Sequence, residues 1–280
     1  MKSKSQKRNN LDHVFYFGKD NRCVRWSDCE SIEKSYWTEV LKNIASSFEI
    51  IVTENTEYLP KYGNNVIVIL KSDELISDIK YTTRVRAIFR NYFDKKYIYN
   101  KNIFFLPLPC LGGTLDIPNI PILNRETDVF FAGQVNYSIR KELSKIVLNL
   151  KSQKKDLKIV FKKTKDFFSG WDINQYLDRL NNSKICLCPR GASIETYRHF
   201  EALRHGCIVI STSLPNVWYF QNAPIQTITQ WNELPDLVNK IIRNQGLLKE
   251  ISKKSVKYWN DKLSPKAVAN FINNSIDSIS

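Results

Sequence analysis

One stretch, Lys184–Ser211 (KICLCPRGASIETYRHFEALRHGCIVIS), constrains the fold more than any other part of the chain. Ile185, Leu187 and two cysteines form the short apolar run expected of a parallel strand covered on both faces. Pro189 cannot donate to a ladder and ends that strand, and Gly191 lets the backbone turn sharply. Ser193 or Thr196 is placed to cap a helix running to about His205, where Gly206 stops it. Cys207–Ile210 is then the next buried strand.

At roughly 100° per residue, Thr196, Phe200, Leu203 and Cys207 share one helix face, and Arg198, Glu201 and His205 share the opposite one. Loop amides and a helix dipole together make an anion site, and a neighbouring carboxylate suits a sugar diol. The combination points to a nucleotide-sugar or dinucleotide pocket. The plainer alternative is a surface helix with an i, i+3 Arg–Glu pair.

Around this run, strands alternate with helices, which predicts an open, mostly parallel α/β sheet. Before the run, Asp128–Ala132 reads as a strand ending in Gly133, Ser138–Leu150 as a helix, Leu157–Phe161 as a strand and Ile173–Leu180 as a helix. After it come a strand at Ile225–Thr229 and helices near Glu233–Arg243, Leu247–Trp259 and Pro265–Ile276. The first half gives strands at Val14–Phe17, Phe48–Val52, Asn65–Leu70 and Asn102–Leu106, a turn at Gly18–Asn21 and a helix over Ser31–Ser46. Thr83–Phe93 is a basic amphipathic stretch whose plain reading is a helix with its arginines in solvent. Leu111–Pro121, rich in Gly and Pro, reads as a linker dividing residues 1–118 from 119–280.

Composition narrows the class. The 280 residues are 42% hydrophobic, enough for one large core or two ordinary ones, and no apolar run reaches the ~18 residues of a membrane span. The basic, polar start lacks a signal-peptide core, so a cytoplasmic protein is expected. A net charge of +14 favours acidic partners such as phosphorylated substrates or an anionic membrane surface, with peripheral contact at the inner face of the membrane. No helix-turn-helix, zinc-finger or RNP pattern is present, so no nucleic-acid partner is expected. The six cysteines and three histidines show no zinc spacing and read as buried free thiols and isolated imidazoles.

Several motifs together resemble the exostosin-like glycosyltransferases, in their bacterial form. Cys188-Pro-Arg-Gly followed by Tyr197-Arg-His-Phe-Glu-Ala-Leu-Arg-His-Gly-Cys-Ile-Val is similar to that family's C-P-R-G … R-x-x-E-A-L-x-x-G-C-I-P-V signature, with Val209 in place of its Pro and no Asp soon afterwards. Phe130-Phe-Ala-Gly … Ile139-Arg-Lys-Glu-Leu resembles its F-F-A-G … I-R-x-x-L segment, and Phe89-Arg-Asn-Tyr with Leu106-Pro-Leu-Pro resembles a third. The resemblance implies a GT-B architecture, two Rossmann-like α/β domains facing a cleft. The acceptor side would be residues 1–118 and the nucleotide-sugar donor side residues 119–280.

On that reading Gly133 lets the backbone approach a pyrophosphate, and Arg140 reaches the same phosphates as a bidentate fork. Arg190 and Gly191 lie at a strand's carboxyl end, where ligands of open α/β sheets bind. Arg198 neutralises the leaving diphosphate, Glu201 holds the ribose hydroxyls, and Ser193, Thr196 and Tyr197 contact phosphate or sugar hydroxyls. Lys162 and Lys163 either assist the phosphates or are surface lysines. Eight residues before Glu201 stands Ser193, not the second glutamate of the retaining Glu-x7-Glu pattern, so the resemblance implies inversion. No Asp-x-Asp occurs, so metal-independent stabilisation by arginines and helix amides is expected, with no metal and no cofactor beyond a UDP-linked donor.

Inversion needs a base on the acceptor side. Asp20, Glu54, Asp73 and Glu74 qualify by position, and Asp20 follows the first strand most closely. The expected activity is transfer from a nucleotide sugar to a glycan or lipid-linked glycan, in synthesis of capsule, O-antigen or a similar surface polysaccharide. The alternatives are a glycan- or nucleotide-binding protein on an inactive transferase fold, or a basic nucleic-acid binder.

Overall fold

A computed structural model describes residues 11–45, 47–166 and 169–279; the basic start and the expected helix end at Ser46 lie outside them. The chain divides into two compact units, Met1–Leu106 with Pro265–Ser280, and Pro107–Ser264.

The first unit is built on β1 (Val14–Phe17), β2 (Cys23–Arg25), β3 (Glu49–Thr53), β4 (Gly63–Leu70), β5 (Val85–Asn91) and β6 (Ile103–Leu106), in the spatial order β2-β1-β3-β4-β5-β6. All pairings are parallel except the β1–β2 hairpin, whose short second strand forms one edge. The strand centres are buried on both faces, which is why Val66–Leu70 reads as an unbroken apolar run. Helix α1 (Lys34–Leu41) buries Tyr36, Trp37, Val40 and Leu41, and the C-terminal helix Pro265–Ser278 packs with it. That last helix also sets Phe271 edge-on to Phe104, ring centroids 6.3 Å apart.

Three expectations change here. Val85–Asn91 is an interior strand, not an amphipathic helix, because Arg90 is fully buried and donates to Asp73 at 2.9 Å instead of facing solvent. No α-helix lies between β3 and β4 or between β4 and β5, so strict strand–helix alternation stops there. The division between units falls at Leu106/Pro107 rather than at 118. Leu111–Pro121 is built into the second unit: Leu111 and Thr114 are buried, Arg204 donates to the Leu115 carbonyl and Asn119 Oδ1 at 3.0 Å each, and Asn181 donates to the Pro118 carbonyl at 2.9 Å.

The second unit carries β7 (Thr127–Gln134), α2 (Ser138–Gln153), β8 (Ile159–Thr164), α3 (Ile173–Asn181), β9 (Ser183–Leu187), α4 (Tyr197–Arg204), β10 (Ile208–Ser211), β11 (Gln226–Thr227), α5 (Leu234–Ile242) and α6 (Gln245–Tyr258). Its sheet is wholly parallel in the order β11-β10-β9-β7-β8. One face buries Val129, Phe131, Ile185, Leu187, Ile208 and Ile210 against α2, α5 and α6. Buried Arg125 clamps the opposite end of the strands, donating to the carbonyls of Ile120, Ser183 and His205. Because β8 lies on one side of β7 and β9 on the other, the strand order reverses between β7 and β9. In such sheets the crevice outside the strands' carboxyl ends at that point is where ligands bind.

Candidate functional site

The carboxyl ends of β7 and β9 bring together most of the residues singled out from the sequence. Gly133 near the end of β7 has φ 155°, and a Cβ there would collide with the Arg198 guanidinium, whose Cζ would lie 3.4 Å away. Only glycine permits this approach without strain. Arg198, one residue into α4, donates through Nε to the Ala132 carbonyl at 2.8 Å and lies over the Phe131 ring at 4.9 Å. Its Nη1 is buried and makes no hydrogen bond among the described residues, so a cation with spare donor capacity is fixed against the end of β7.

Arg140 behaves differently from its expected role. It is buried, and its Nε, Nη1 and Nη2 donate to the carbonyls of Arg190, Gln134 and Pro189 at 2.9, 3.1 and 3.4 Å. Those bonds tie the loop after β9 to the end of β7, so Arg140 shapes the site from behind rather than presenting a free fork to phosphate. Gly191 closes the same loop, its amide donating to the Ser193 carbonyl at 2.9 Å. Arg190 is exposed, with Nη2 3.3 Å from the Ala192 carbonyl. Ser193 is buried and accepts from the Glu195 amide at 3.4 Å, while Tyr219 donates to Glu195 at 2.9 Å.

The helix N-terminus that is open is not the one expected. At α4, His199 Nδ1 accepts from the Thr196 amide at 3.2 Å in a capping box, which takes up two of that end's amides internally. His199 Nε2 lies 3.0 Å from Ser211 Oγ, which in turn donates to the Cys188 carbonyl, tying the ends of β9 and β10 together. Burial pushes the His199 pKa down to about 3, so it is a neutral structural imidazole. At α2, by contrast, the N-cap residue Tyr137 provides no side-chain cap. Tyr137, Ser138 and Ile139 line a cavity of about 390 Å³ with Arg190, Gly191 and Ala192. An uncapped helix end facing a glycine loop and an exposed arginine is suited to a phosphate group. The sequence does not single out Tyr137, Ser138 and Ile139; its one signal for them is the lack of any Ser, Thr, Asp or Asn at the N-cap.

Glu201 is not on an open polar face. It is buried, its Oε2 accepts from the Tyr176 hydroxyl at 2.8 Å, and its Oε1 lacks a hydrogen bond of ordinary geometry. Burial raises its pKa, opposed by Tyr176, by Arg198 and by the Leu111 amide nearby. Glu201 and Arg198, the latter with a buried Nη1 that makes no hydrogen bond among the described residues, thus sit one helical turn apart on α4. His205, expected on the same face, is buried beside Asn119 at the far end of the helix, with Nδ1 3.2 Å from Asn119 Oδ1. Tyr197 is half-buried at the first position of α4, and Lys162 and Lys163 are exposed on β8. Cys186 and Cys188 are buried free thiols with sulfurs 3.9 Å apart. No group of three His, Cys, Asp or Glu side chains among the described residues is placed to hold a metal ion.

In the first unit, Asp20 sits in the β1–β2 hairpin turn, half exposed, and accepts from the Arg22 side chain and from the Arg22 amide at 3.3 Å. These bonds hold its pKa below the usual carboxylate value, which disfavours proton uptake. Asp73 is buried and occupied by Arg90 and Ser77, and Glu74 is exposed.

Residues 124–278 match the model of the RXYLT1 C-terminal domain, and the chain belongs to that exostosin-like family. Solved structures extend the likeness to the glycosyltransferase GT-B fold. A Staphylococcus aureus TarM variant in complex with Fondaparinux, alpha-GlcNAc-glycerol and UDP superposes with a TM-score of 0.55 at 11% identity, over 92% of this chain and 60% of that one. The DNA-modifying enzyme beta-glucosyltransferase, described with and without the substrate uridine diphosphoglucose, gives a TM-score of 0.52 at 15% identity, over 94% of this chain and 98% of that one. The Gap123 glycosylation-associated complex of Streptococcus agalactiae gives 0.52 at 13% identity, over 88% and 57%. The chain therefore spans about 60% of the length of TarM and nearly all of beta-glucosyltransferase.

Proposed function

We propose that this chain is a glycosyltransferase that moves a sugar from a UDP-linked donor to a glycan or lipid-linked glycan acceptor with inversion at the anomeric carbon. The observation that carries the reading is the β7–β9 switch point. There the uncapped start of α2, Arg190, Gly191 and the unsatisfied Nη1 of Arg198 gather around the carboxyl ends of two strands. Such a set recognises a diphosphate by helix amides and guanidinium groups, and it stabilises the charge that develops as the anomeric C–O bond breaks. UDP is supported as the carrier by its appearance with TarM and, as uridine diphosphoglucose, with beta-glucosyltransferase.

In the proposed reaction the acceptor oxygen attacks the anomeric carbon as the bond to the β-phosphate oxygen breaks. The electron pair leaves with UDP, and Arg198 takes up the charge without a metal. Glu201 holds the ribose hydroxyls, and Arg140 keeps the 188–191 loop in place. Inversion is favoured by Ser193, which stands where a retaining enzyme of this class would carry the earlier glutamate. A role in surface-polysaccharide synthesis at the inner face of a membrane fits the charge of +14; no helix among the described residues is long and apolar enough to cross one.

The test is a donor screen in chelator-containing buffer against a panel of glycan and polyprenyl-diphosphate glycan acceptors, with NMR assignment of the product anomer. A UDP-sugar giving an inverted product is expected. A retained product overturns the stereochemistry, and binding of UDP with neither transfer nor donor hydrolysis favours a binding protein on an inactive fold.

A further inference from the structure

The loop after β5 presents apolar side chains to solvent from a turn that the rest of the first unit holds firmly. Lys95–Tyr97 form one 3-10 turn, capped by Asp94, whose Oδ1 accepts from the Lys96 amide at 3.1 Å. Tyr97 anchors it: the side chain is buried, its ring centroid lies 5.2 Å from the Arg90 guanidinium, and its hydroxyl accepts from the Ile79 amide at 2.9 Å. The Asn100 amide closes the next turn on the Tyr97 carbonyl at 3.0 Å. Between these bonds Ile98 is 48% and Tyr99 91% exposed, the latter the most exposed large apolar side chain among the described residues. The second most exposed, Leu75 at 85%, lies in the loop after β4. Asp78 and Ile79 of that loop bind Lys96 and Tyr97, so the two loops adjoin.

Single exposed apolar residues are ordinary, but two adjacent ones on a firmly held turn call for a partner. Charge indicates which. Residues 95–101, KKYIYNK, hold three lysines and no acid. Lys96 is occupied by Asp78 and by Asp94, the latter at 3.1 Å. Lys95 and Lys101 are exposed, and neither pairs with an acidic side chain among the described residues. In the adjoining loop Asp73 is held by Arg90 and Asp78 by Lys96, which leaves Glu74 as its one unpaired acid.

We propose that Ile98 and Tyr99, flanked by Lys95 and Lys101, form a docking surface for an anionic lipid bilayer. Ile98 enters the acyl boundary, Tyr99 lies with its ring among the headgroups and its hydroxyl in water, and the two lysines reach lipid phosphates. A soluble polyanion would use the lysines but gain nothing from Ile98, and a protein partner would need a broader apolar patch. The proposal rests on the membrane location inferred above and not on donor binding, since the surface lies wholly within the first unit.

The experiment is co-sedimentation of the full chain with phosphatidylcholine vesicles, with and without phosphatidylglycerol, at low and physiological salt. Wild type is expected to bind only the vesicles that contain phosphatidylglycerol, and more weakly as salt rises. Lys95→Gln with Lys101→Gln should weaken binding about 10- to 30-fold, at about fivefold per lysine. Ile98→Ser with Tyr99→Ser should weaken it about tenfold or more. Both double variants should keep the wild-type Tm and UDP affinity. Lys249→Gln with Lys253→Gln removes the same charge from α6 and should bind vesicles as wild type does. Failure of wild type to bind phosphatidylglycerol vesicles, undiminished binding by the Ile98/Tyr99 variant, or an equal loss in the α6 variant overturns the proposal. Self-association abolished by the Ile98/Tyr99 substitutions, without vesicle binding, would assign the turn to a second copy of the chain instead. UDP titration of the same proteins reads the donor site separately, so either reading can fail alone.

Discussion

Replacing Gly133 by alanine tests the contact on which the proposed donor site is built. The substitution carries two costs. At φ 155° an alanine is strained by about 1–3 kcal/mol, and its Cβ would occupy the position of the Arg198 guanidinium. Moving that guanidinium breaks the 2.8 Å bond from Nε to the Ala132 carbonyl, a charged-donor bond worth about 1.5–3 kcal/mol, and disturbs its stacking on Phe131. A destabilisation of about 3 kcal/mol is expected, read as a fall in Tm of about 6–12 °C. UDP affinity should fall about 10- to 100-fold, because on the proposed reading the displaced cation no longer faces the diphosphate. In an Arg198→Ala background only the backbone cost remains, so a double-mutant cycle should show coupling of about 1.5–3 kcal/mol. Calorimetric titration of UDP and thermal unfolding of the four proteins measure it. Additivity within about 0.5 kcal/mol would refute the reasoning, since Gly133 would then not act through Arg198.

Three further outcomes are expected. His199 and His205 are both pushed down by burial to about 3, so the unfolded chain binds protons that the native chain does not. Stability should therefore fall as pH drops from about 6.5 towards 3, by up to about 1.4 kcal/mol per pH unit for each histidine, and His199→Gln should flatten the slope of denaturant-derived stability against pH. Tyr176→Phe removes the donor to Glu201 Oε2 and should cost about 1–3 kcal/mol in urea unfolding, with Glu201→Gln in the same background recovering part of it. Arg125→Ala leaves three carbonyls without their donor and should destabilise the protein by about 3 kcal/mol or more, with UDP affinity unchanged once the chain is folded.

The second unit was legible because its punctuation is local. Pro189, Gly191 and Gly206 end or turn their elements within a few residues of the apolar runs they bound, and β9, α4 and β10 fall close to where these residues place them. What was not legible depends on partners distant in the chain. The spacing of Arg198 and Glu201 reads equally as a solvated pair, and only Ala132, Phe131 and Tyr176 show both side chains turned inward. Arg140 reads in sequence as a phosphate ligand, whereas in the fold Gln134, Pro189 and Arg190 accept from it. Val85–Asn91 reads as part of a solvated helix because Arg84, Arg86 and Arg90 recur along Thr83–Phe93, whereas Arg90 is neutralised by Asp73, seventeen residues earlier. The unit boundary failed for a related reason. Gly and Pro at 112–121 mark irregular backbone, and sequence does not distinguish an exposed linker from a loop packed under Arg204.

The most direct measurement of the central claim is titration of UDP into the wild-type chain and into Arg198→Ala, in buffer containing a chelator. Saturable binding of one UDP per chain, weakened about 10- to 100-fold by the substitution, is expected if the switch point between β7 and β9 is a diphosphate site that works without a metal. Absence of saturable binding, or equal affinity in the two proteins, would contradict it.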